Sequence, residues 1–299
     1  MEDLISQYGE STILNGDSYT KTFYTDYEVR YQVGPYLDTK WSQGDPYNRM
    51  CNKIGDDNFI YQTEDNRNAG CVAIAVSQVL NFHKYPSEAN GRSFDWNKIN
   101  TVKGFDPKRS PDSIWNMGTL YEVASLVRSA NIACKTQYFF LSKKNGSSTA
   151  NRAKKALSNE FGYQGVKKEN NFAESNIEQA LDAGTLAIVS GLRPCWYKGH
   201  AWVIDGYRVY VRDYRTVTYT DETYSEVKDT QVLNSEEIKY YHSNFGWGGA
   251  ADGYYLAKIF KTKDGPTAKE LIDDMYWDRN TGDYNYTWAF KTVTYNNPN

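Results

Sequence analysis

A dense apolar run, Val72-Ala73-Ile74-Ala75-Val76 with Val79 and Leu80, begins directly behind Gly70 and Cys71. Its apolar residues leave little polar face, and Gly70 and Pro86 bound it, so it predicts a buried helix with Cys71 in the first turn. Residues 113–130 place Ile114, Met117, Leu120, Tyr121, Ala124, Leu126 and Val127 at helical spacing, which predicts a second helix. A third is expected over Ala150–Phe161, behind the capping loop Asn145-Gly146-Ser147-Ser148-Thr149, and a fourth over Glu174–Ala183, stopped by Gly184. The pattern then changes. Thr185–Val189 reads as a short buried strand, His200–Gly206 opens another, and 207–243 alternates Tyr and Val with charged residues as antiparallel hairpins do. Further strands are expected near Tyr254–Ile259 and Tyr286–Val293. Helices first and strands after imply an α+β chain: residues 31–184 a mainly helical half, 185–299 a mainly β half, with a groove between them. Residues 1–30 are polar and aperiodic and read as a tail or the remnant of a pro-segment.

Composition narrows the function classes. The 299 residues are 40% apolar and 24% charged, as expected of a globular chain able to bury a substantial core. A net charge of -3 without a basic run argues against nucleic acid or an anionic membrane as partner. No stretch approaches the roughly 18 apolar residues that span a bilayer. The start, Met1-Glu2-Asp3-Leu4-Ile5, does not resemble a signal peptide, so an exported protein would have lost its leader from this sequence. The four cysteines contain no Cys-x-x-Cys pair, and three histidines are too few for a zinc cluster, so no metal or other cofactor is expected. Cys134 reads as a small buried hydrophobe, while Cys51 and Cys195 could pair or be free.

The chemistry gathers on Cys71. A thiol at a helix start faces the positive end of the macrodipole, which favours thiolate and suits a nucleophile. Such a nucleophile needs a base. His83 lies 12 residues further along the same helix, about 18 Å away along the axis, which excludes it. His200 opens a strand whose neighbours Trp202 and Ile204 suit a buried face; His242 reads as a strand surface residue. His200 is the better base, because Asn244 on another strand can then orient its ring. For the oxyanion, the Cys71 backbone N–H and the side chain of Gln43, in a turn-rich loop upstream, are the candidate donors; Gln78, two helical turns from Cys71, is too distant.

Four elements stand in order: Gln43-Gly44-Asp45-Pro46-Tyr47-Asn48, Gly70-Cys71-Val72-Ala73, Gly199-His200-Ala201 running into Val203-Ile204-Asp205-Gly206, and Asn244-Phe245-Gly246-Trp247-Gly248-Gly249. Together they resemble the streptopain family of cysteine peptidases, over roughly residues 36 to 260. The papain-type signature Cys-Gly-Ser-Cys-Trp is absent, which favours the streptopain branch. The resemblance implies a papain-like fold and a secreted or cell-surface cysteine endopeptidase made with an inhibitory pro-domain and acting on protein or peptide substrates. It implies Cys71 as nucleophile, His200 as base and later acid, Asn244 as the residue orienting His200, and Gln43 as oxyanion donor. Trp247 or Phe245 would shield the His–Asn bond, with Gly199 and Trp247 against the substrate. Two readings compete with it: an amidase or transglutaminase-type acyl transferase using the same residues, and a non-catalytic binding protein on a peptidase scaffold. Against the family pattern, the charged stretch between Gly206 and Tyr240 is long and suggests an extra hairpin, and Asp264–Tyr286 is acidic and aromatic where streptopain has a glycine-rich loop.

Overall fold

A computed structural model describes residues 8–15, 18–51, 66–104, 117–138, 144–193, 199–220, 227–230, 234–262 and 285–298. In chain order, strands β1 (Tyr8–Asn15), β2 (Ser18–Tyr24) and β3 (Glu28–Val33) precede helix α1 (Cys71–His83). The short strands β4 (Glu88–Ala89) and β5 (Arg92–Ser93) and helices α2 (Trp96–Ile99), α3 (Met117–Ala133) and α4 (Ala150–Lys155) follow. Next come β6 (Lys167–Glu169), α5 (Glu174–Asp182), β7 (Ala187–Leu192) and the long β8 (Gly199–Tyr219). The chain ends in β9 (Val227–Thr230), β10 (Asn234–Asn244), β11 (Gly253–Leu256), β12 (Phe260–Lys261), β13 (Asn285–Tyr286) and β14 (Trp288–Thr294). These elements fall into two compact units, residues 1–32 with 208–240, and residues 33–207 with 241–299.

In the smaller unit β1 and β2 form an antiparallel hairpin closed at Asn15 and Ser18. β2 pairs with the far part of β8, from Tyr19 opposite Tyr219 to Tyr24 opposite Tyr214, and β9 pairs with the same stretch of β8. Within the segment expected to be a polar tail or pro-segment remnant, Tyr8–Asn15, Ser18–Tyr24 and the residues from Glu28 onward are therefore strand. Its Thr and Tyr residues suit a pleated backbone, yet they show no apolar face for a period-two reading to detect. Thr20 meets Thr218, and Thr22 meets Thr216, as hydroxyl pairs 3.4 Å apart across the strands. Charged and aromatic side chains add lateral contacts: the Arg212 guanidinium lies 4.2 Å from the centre of the Tyr24 ring and 4.6 Å from that of Tyr27.

The larger unit carries the expected α+β arrangement. α1 is buried along its length, including Ser77, which donates to the Ala73 carbonyl at 2.7 Å, and Gln78, whose Oε1 accepts from the Thr39 hydroxyl at 3.0 Å. The helix closes on Lys84 in the left-handed conformation and packs against α3 and α4. Beside the helices runs an antiparallel sheet in the order β8-β7-β14-β6, with Ala187 opposite Ile204 and Val293 opposite Ile188. Its inner strand β7 is apolar and buried on both faces, because α4 and α5 lie against it. β10 pairs with both β8 and β11.

Several boundaries differ from expectation. The third helix is α-helical only through Lys155, and Ala156–Glu160 forms a π-helical turn. The first strand of the β half starts two residues later than its apolar run. The stretch near Tyr254–Ile259 splits into β11 and β12 around a turn. Cys134 is buried, and burial pushes its thiol up to about 12. Cys51 is buried and free, whereas Cys195 and most of Asp264–Tyr286 lie outside the described residues.

Candidate active site

Cys71 is the first residue of α1, and the backbone before it has a shape that glycine alone adopts readily. Gly70 sits at φ 93° and ψ 141°, and a Cβ there would lie 3.2 Å from the Gly146 carbonyl oxygen and 3.2 Å from the Thr136 methyl. The lead-in is held by side chains. Asn131 on α3 donates to the Ala69 carbonyl at 2.8 Å, and Tyr138 donates to the Asn68 carbonyl at 2.9 Å. From the other side, the Ala69 N–H donates to the Gln43 carbonyl at 2.9 Å. Gln43 is thereby fixed beside the chain two residues before the thiol, with its side chain partly exposed.

His200 lies near the start of β8, in register with Gly191 of β7, and is 7% exposed. Its Nε2 is 2.7 Å from the carbonyl oxygen of Phe245. A carbonyl only accepts, so Nε2 carries the proton and Nδ1 the lone pair. The backbone N–H groups of Ala201, the next residue along β8, of Val72 and of Cys71 itself lie close enough to the Cys71 sulfur to favour its ionised form. The start of α1 and the start of β8 therefore meet at the thiol. Burial pushes the Cys71 thiol up, and those three N–H groups pull it back down. Burial also takes the His200 imidazole down to about 4; the Phe245 carbonyl opposes this shift and nearby Arg193 adds to it.

The burial of His200 is aromatic. The Trp247 ring centre is 4.5 Å from the imidazole, with Tyr286 at 5.8 Å, Phe245 at 6.1 Å and Trp202 at 6.2 Å. Trp247 is half-buried, and Gly199, immediately before His200, is exposed. Both of the shielding candidates lie beside the ring, Phe245 stacked and Trp247 tilted, and Phe245 is itself fully buried.

Asn244 has a different partner from the one expected. Its Nδ2 donates to the Thr39 carbonyl at 2.7 Å, and its Oδ1 accepts from the Gly246 N–H at 3.1 Å. Both polar ends of the amide are thus engaged by the main chain, and the imidazole is held instead by the backbone carbonyl of the next residue. Gly246 permits this tight turn at φ 66°, where a Cβ would sit 2.9 Å from the Ile74 side chain. The Gly248 N–H donates to the Trp41 carbonyl at 2.9 Å, so the 39–43 segment is bonded to both the Cys71 lead-in and the 244–248 loop.

Other residues of this region escaped the sequence reading. Asp205 is fully buried, and its Oδ1 is 2.6 Å from His242 Nδ1, so His242 is half-buried against an acid rather than a surface residue. Asp252 accepts from the Phe245 N–H at 2.8 Å. An acid inside the apolar run Val203-Ile204-Asp205 was a visible signal for Asp205; nothing local marked Asp252. His83, excluded as base by helix arithmetic, packs among Phe82, Tyr163 and Tyr295 and is 3.3 Å from the Tyr295 hydroxyl.

Residues 41–255 match the Peptidase C10 family. Among known proteins, streptopain of Streptococcus pyogenes is 24% identical over 265 residues, covering 75% of this chain and 55% of its own length. The chain thus spans about half the length of the curated relatives it matches. Among solved structures, active wild-type interpain A, a cysteine protease of Prevotella intermedia, aligns with a TM-score of 0.58 at 20% identity, covering 89% of this chain and 95% of that one. A prointerpain A fragment from the same organism aligns at 0.55 and 19% identity, covering 89% and 72%. The fold is therefore the papain-like α+β arrangement of those proteases.

Proposed function

The chain belongs to the Peptidase C10 family, and from that premise we propose that it is a cysteine endopeptidase with Cys71 as nucleophile and His200 as base. The observation that carries the reading is the approach of α1 and β8: the Ala201 N–H, next in the chain to His200, favours the Cys71 thiolate, while the Phe245 carbonyl holds the imidazole by Nε2. Nδ1 then takes the thiol proton, and sulfur attacks the peptide carbonyl carbon. The oxyanion is received by the Cys71 N–H at the helix start and by the Gln43 side-chain amide. Collapse expels the amine, which takes the proton back from His200, and leaves a thioester. Water, deprotonated by His200, hydrolyses the thioester and frees the thiol.

Two assignments are revised on this reading. The Phe245 carbonyl orients the imidazole, and Asn244 pins the loop that presents it. Trp247 and Phe245 shield the ring, and Gly199 with Trp247 borders the substrate. The proposal extends to a secreted or surface-exposed enzyme acting on proteins and made as a precursor with an inhibitory pro-segment; one similar solved structure is of a prointerpain fragment. The test compares wild type with Cys71→Ala on casein, with and without an epoxide thiol inhibitor. Cleavage by wild type that both the inhibitor and the substitution abolish is expected. Equal, inhibitor-resistant cleavage by the two proteins would overturn the proposal.

A further inference from the structure

The imidazole of His200 is held by a main-chain carbonyl, and a carbonyl points wherever its peptide units are fixed. Phe245 is fixed from one side. Its N–H donates to Asp252 Oδ1 at 2.8 Å, across a loop whose glycines Gly246, Gly248 and Gly249 all have positive φ. The Asp252 end of the loop is itself anchored: the Asp252 N–H donates to the Gly249 carbonyl at 3.3 Å, and the Tyr255 hydroxyl donates to the Ala251 carbonyl at 2.6 Å. We infer that Asp252 is a positioning residue for catalysis, holding Phe245 so that its carbonyl stays on His200 Nε2. The inference rests on His200 being the base.

The surroundings of Asp252 suit that task. It is buried, so a lost hydrogen bond is not replaced by water. The groups that face it are His242 from β10, Asp205 from β8, Lys40 from the segment before Trp41, and Tyr255 from β11. Burial raises its carboxyl to about 7, with Asp205 adding to the rise; the Phe245 N–H, His242 and Lys40 oppose it. The ionised carboxylate is the stronger acceptor for the Phe245 N–H. Activity that depends on this bond therefore rises with pH as Asp252 ionises.

Asp252→Ala removes the acceptor, while Asp252→Asn keeps an acceptor oxygen of similar shape that cannot titrate. Both are measured on a fluorogenic peptide chosen from a casein cleavage site, beside Cys71→Ala and His200→Ala. Displacement of a base by around 1 Å costs on the order of 100-fold in rate. Asp252→Ala is expected to lose ~30- to 100-fold in kcat with KM within about two-fold. Asp252→Asn is expected to recover most of that loss, and its kcat/KM profile to lack the ionisation near pH 7 expected of wild type. Wild-type kcat in Asp252→Ala would overturn the inference. So would equal losses in the two variants with the wild-type pH profile retained in Asp252→Asn. Activity surviving in Cys71→Ala or His200→Ala would instead sink the peptidase reading on which the inference stands.

Discussion

His83 gives a sharp test of how the core handles charge, because it has no part in the proposed reaction. Its ring is 7% exposed and packs edge-on against Phe82, Tyr163 and Tyr295. Burial takes its pKa from 6.5 down to about 4. An unfolded chain therefore binds a proton at this site between about pH 4 and 6.5 that the folded chain refuses. Stability contributed by the neutral ring is present above 6.5 and lost as pH falls through that window. Between about pH 6.5 and pH 4.5 the full shift corresponds to roughly 2 kcal/mol, and partial solvation of the ring brings this to about 1–2 kcal/mol. The perturbation is His83→Gln, which keeps a hydrogen-bonding group near the Tyr295 hydroxyl and cannot titrate. The assay is urea unfolding at the two pH values, both proteins carrying Cys71→Ala to prevent self-cleavage. The absolute stability of the variant is immaterial; the quantity read is the change with pH. His200 and Asp252 titrate in both proteins and cancel in the comparison. The His83→Gln protein is expected to lose about 1–2 kcal/mol less on acidification. Identical pH dependence in the two proteins would refute the reasoning.

Two further substitutions probe the site. Gly70→Ala forces a side chain into a positive-φ conformation and against Gly146 and Thr136, and is expected to cost roughly 2 kcal/mol or more in urea unfolding and to slow alkylation of Cys71; wild-type stability would show that the Gly70 geometry is not required. Trp247→Ala removes the ring nearest His200, and since burial is what lowers that imidazole, its pKa is expected to rise, read as an upward shift of the acid limb of kcat/KM in an Asp252→Asn background that lacks the Asp252 ionisation; an unmoved limb would mean that Trp202, Phe245 and Tyr286 suffice to exclude water.

What the sequence made legible follows the range of the interactions involved. Cys71 and its helix were visible because glycine, thiol and apolar run are adjacent in the chain, and the buried α1 begins at Cys71 as expected. His200 was preferred as the candidate base once helix arithmetic had removed His83, because Asn244 on another strand could orient its ring. Gln43 was placed in a loop upstream of the thiol, and its backbone does bond the Cys71 lead-in. Within residues 1–30, read as a polar tail or pro-segment remnant, the strands were not legible because they are stabilised by Thr and Tyr pairing across the sheet rather than by an apolar stripe.

The contacts of Asn244 differ from expectation for a more instructive reason. Side chains can be read from a sequence, and an amide placed opposite a histidine is the natural candidate to hold its ring. Backbone carbonyls carry no such label. Whether Asn244 Oδ1 or the Phe245 carbonyl meets Nε2 depends on the turn at Gly246, on Thr39 capturing the Asn244 amide, and on Asp252 capturing the Phe245 N–H. Those three contacts join positions up to 205 residues apart. Once the amide is engaged at both ends, it has no favourable way to reach the imidazole without leaving a buried polar group unpaired, at a cost of about 1–3 kcal/mol. The carbonyl then becomes the cheaper acceptor, and the orientation of the His200 ring passes from a residue type to the geometry of a loop. This makes the site sensitive to residues that never touch substrate, and it is why Asp252, silent in the sequence, is the position where a single buried hydrogen bond bears on the orientation of His200.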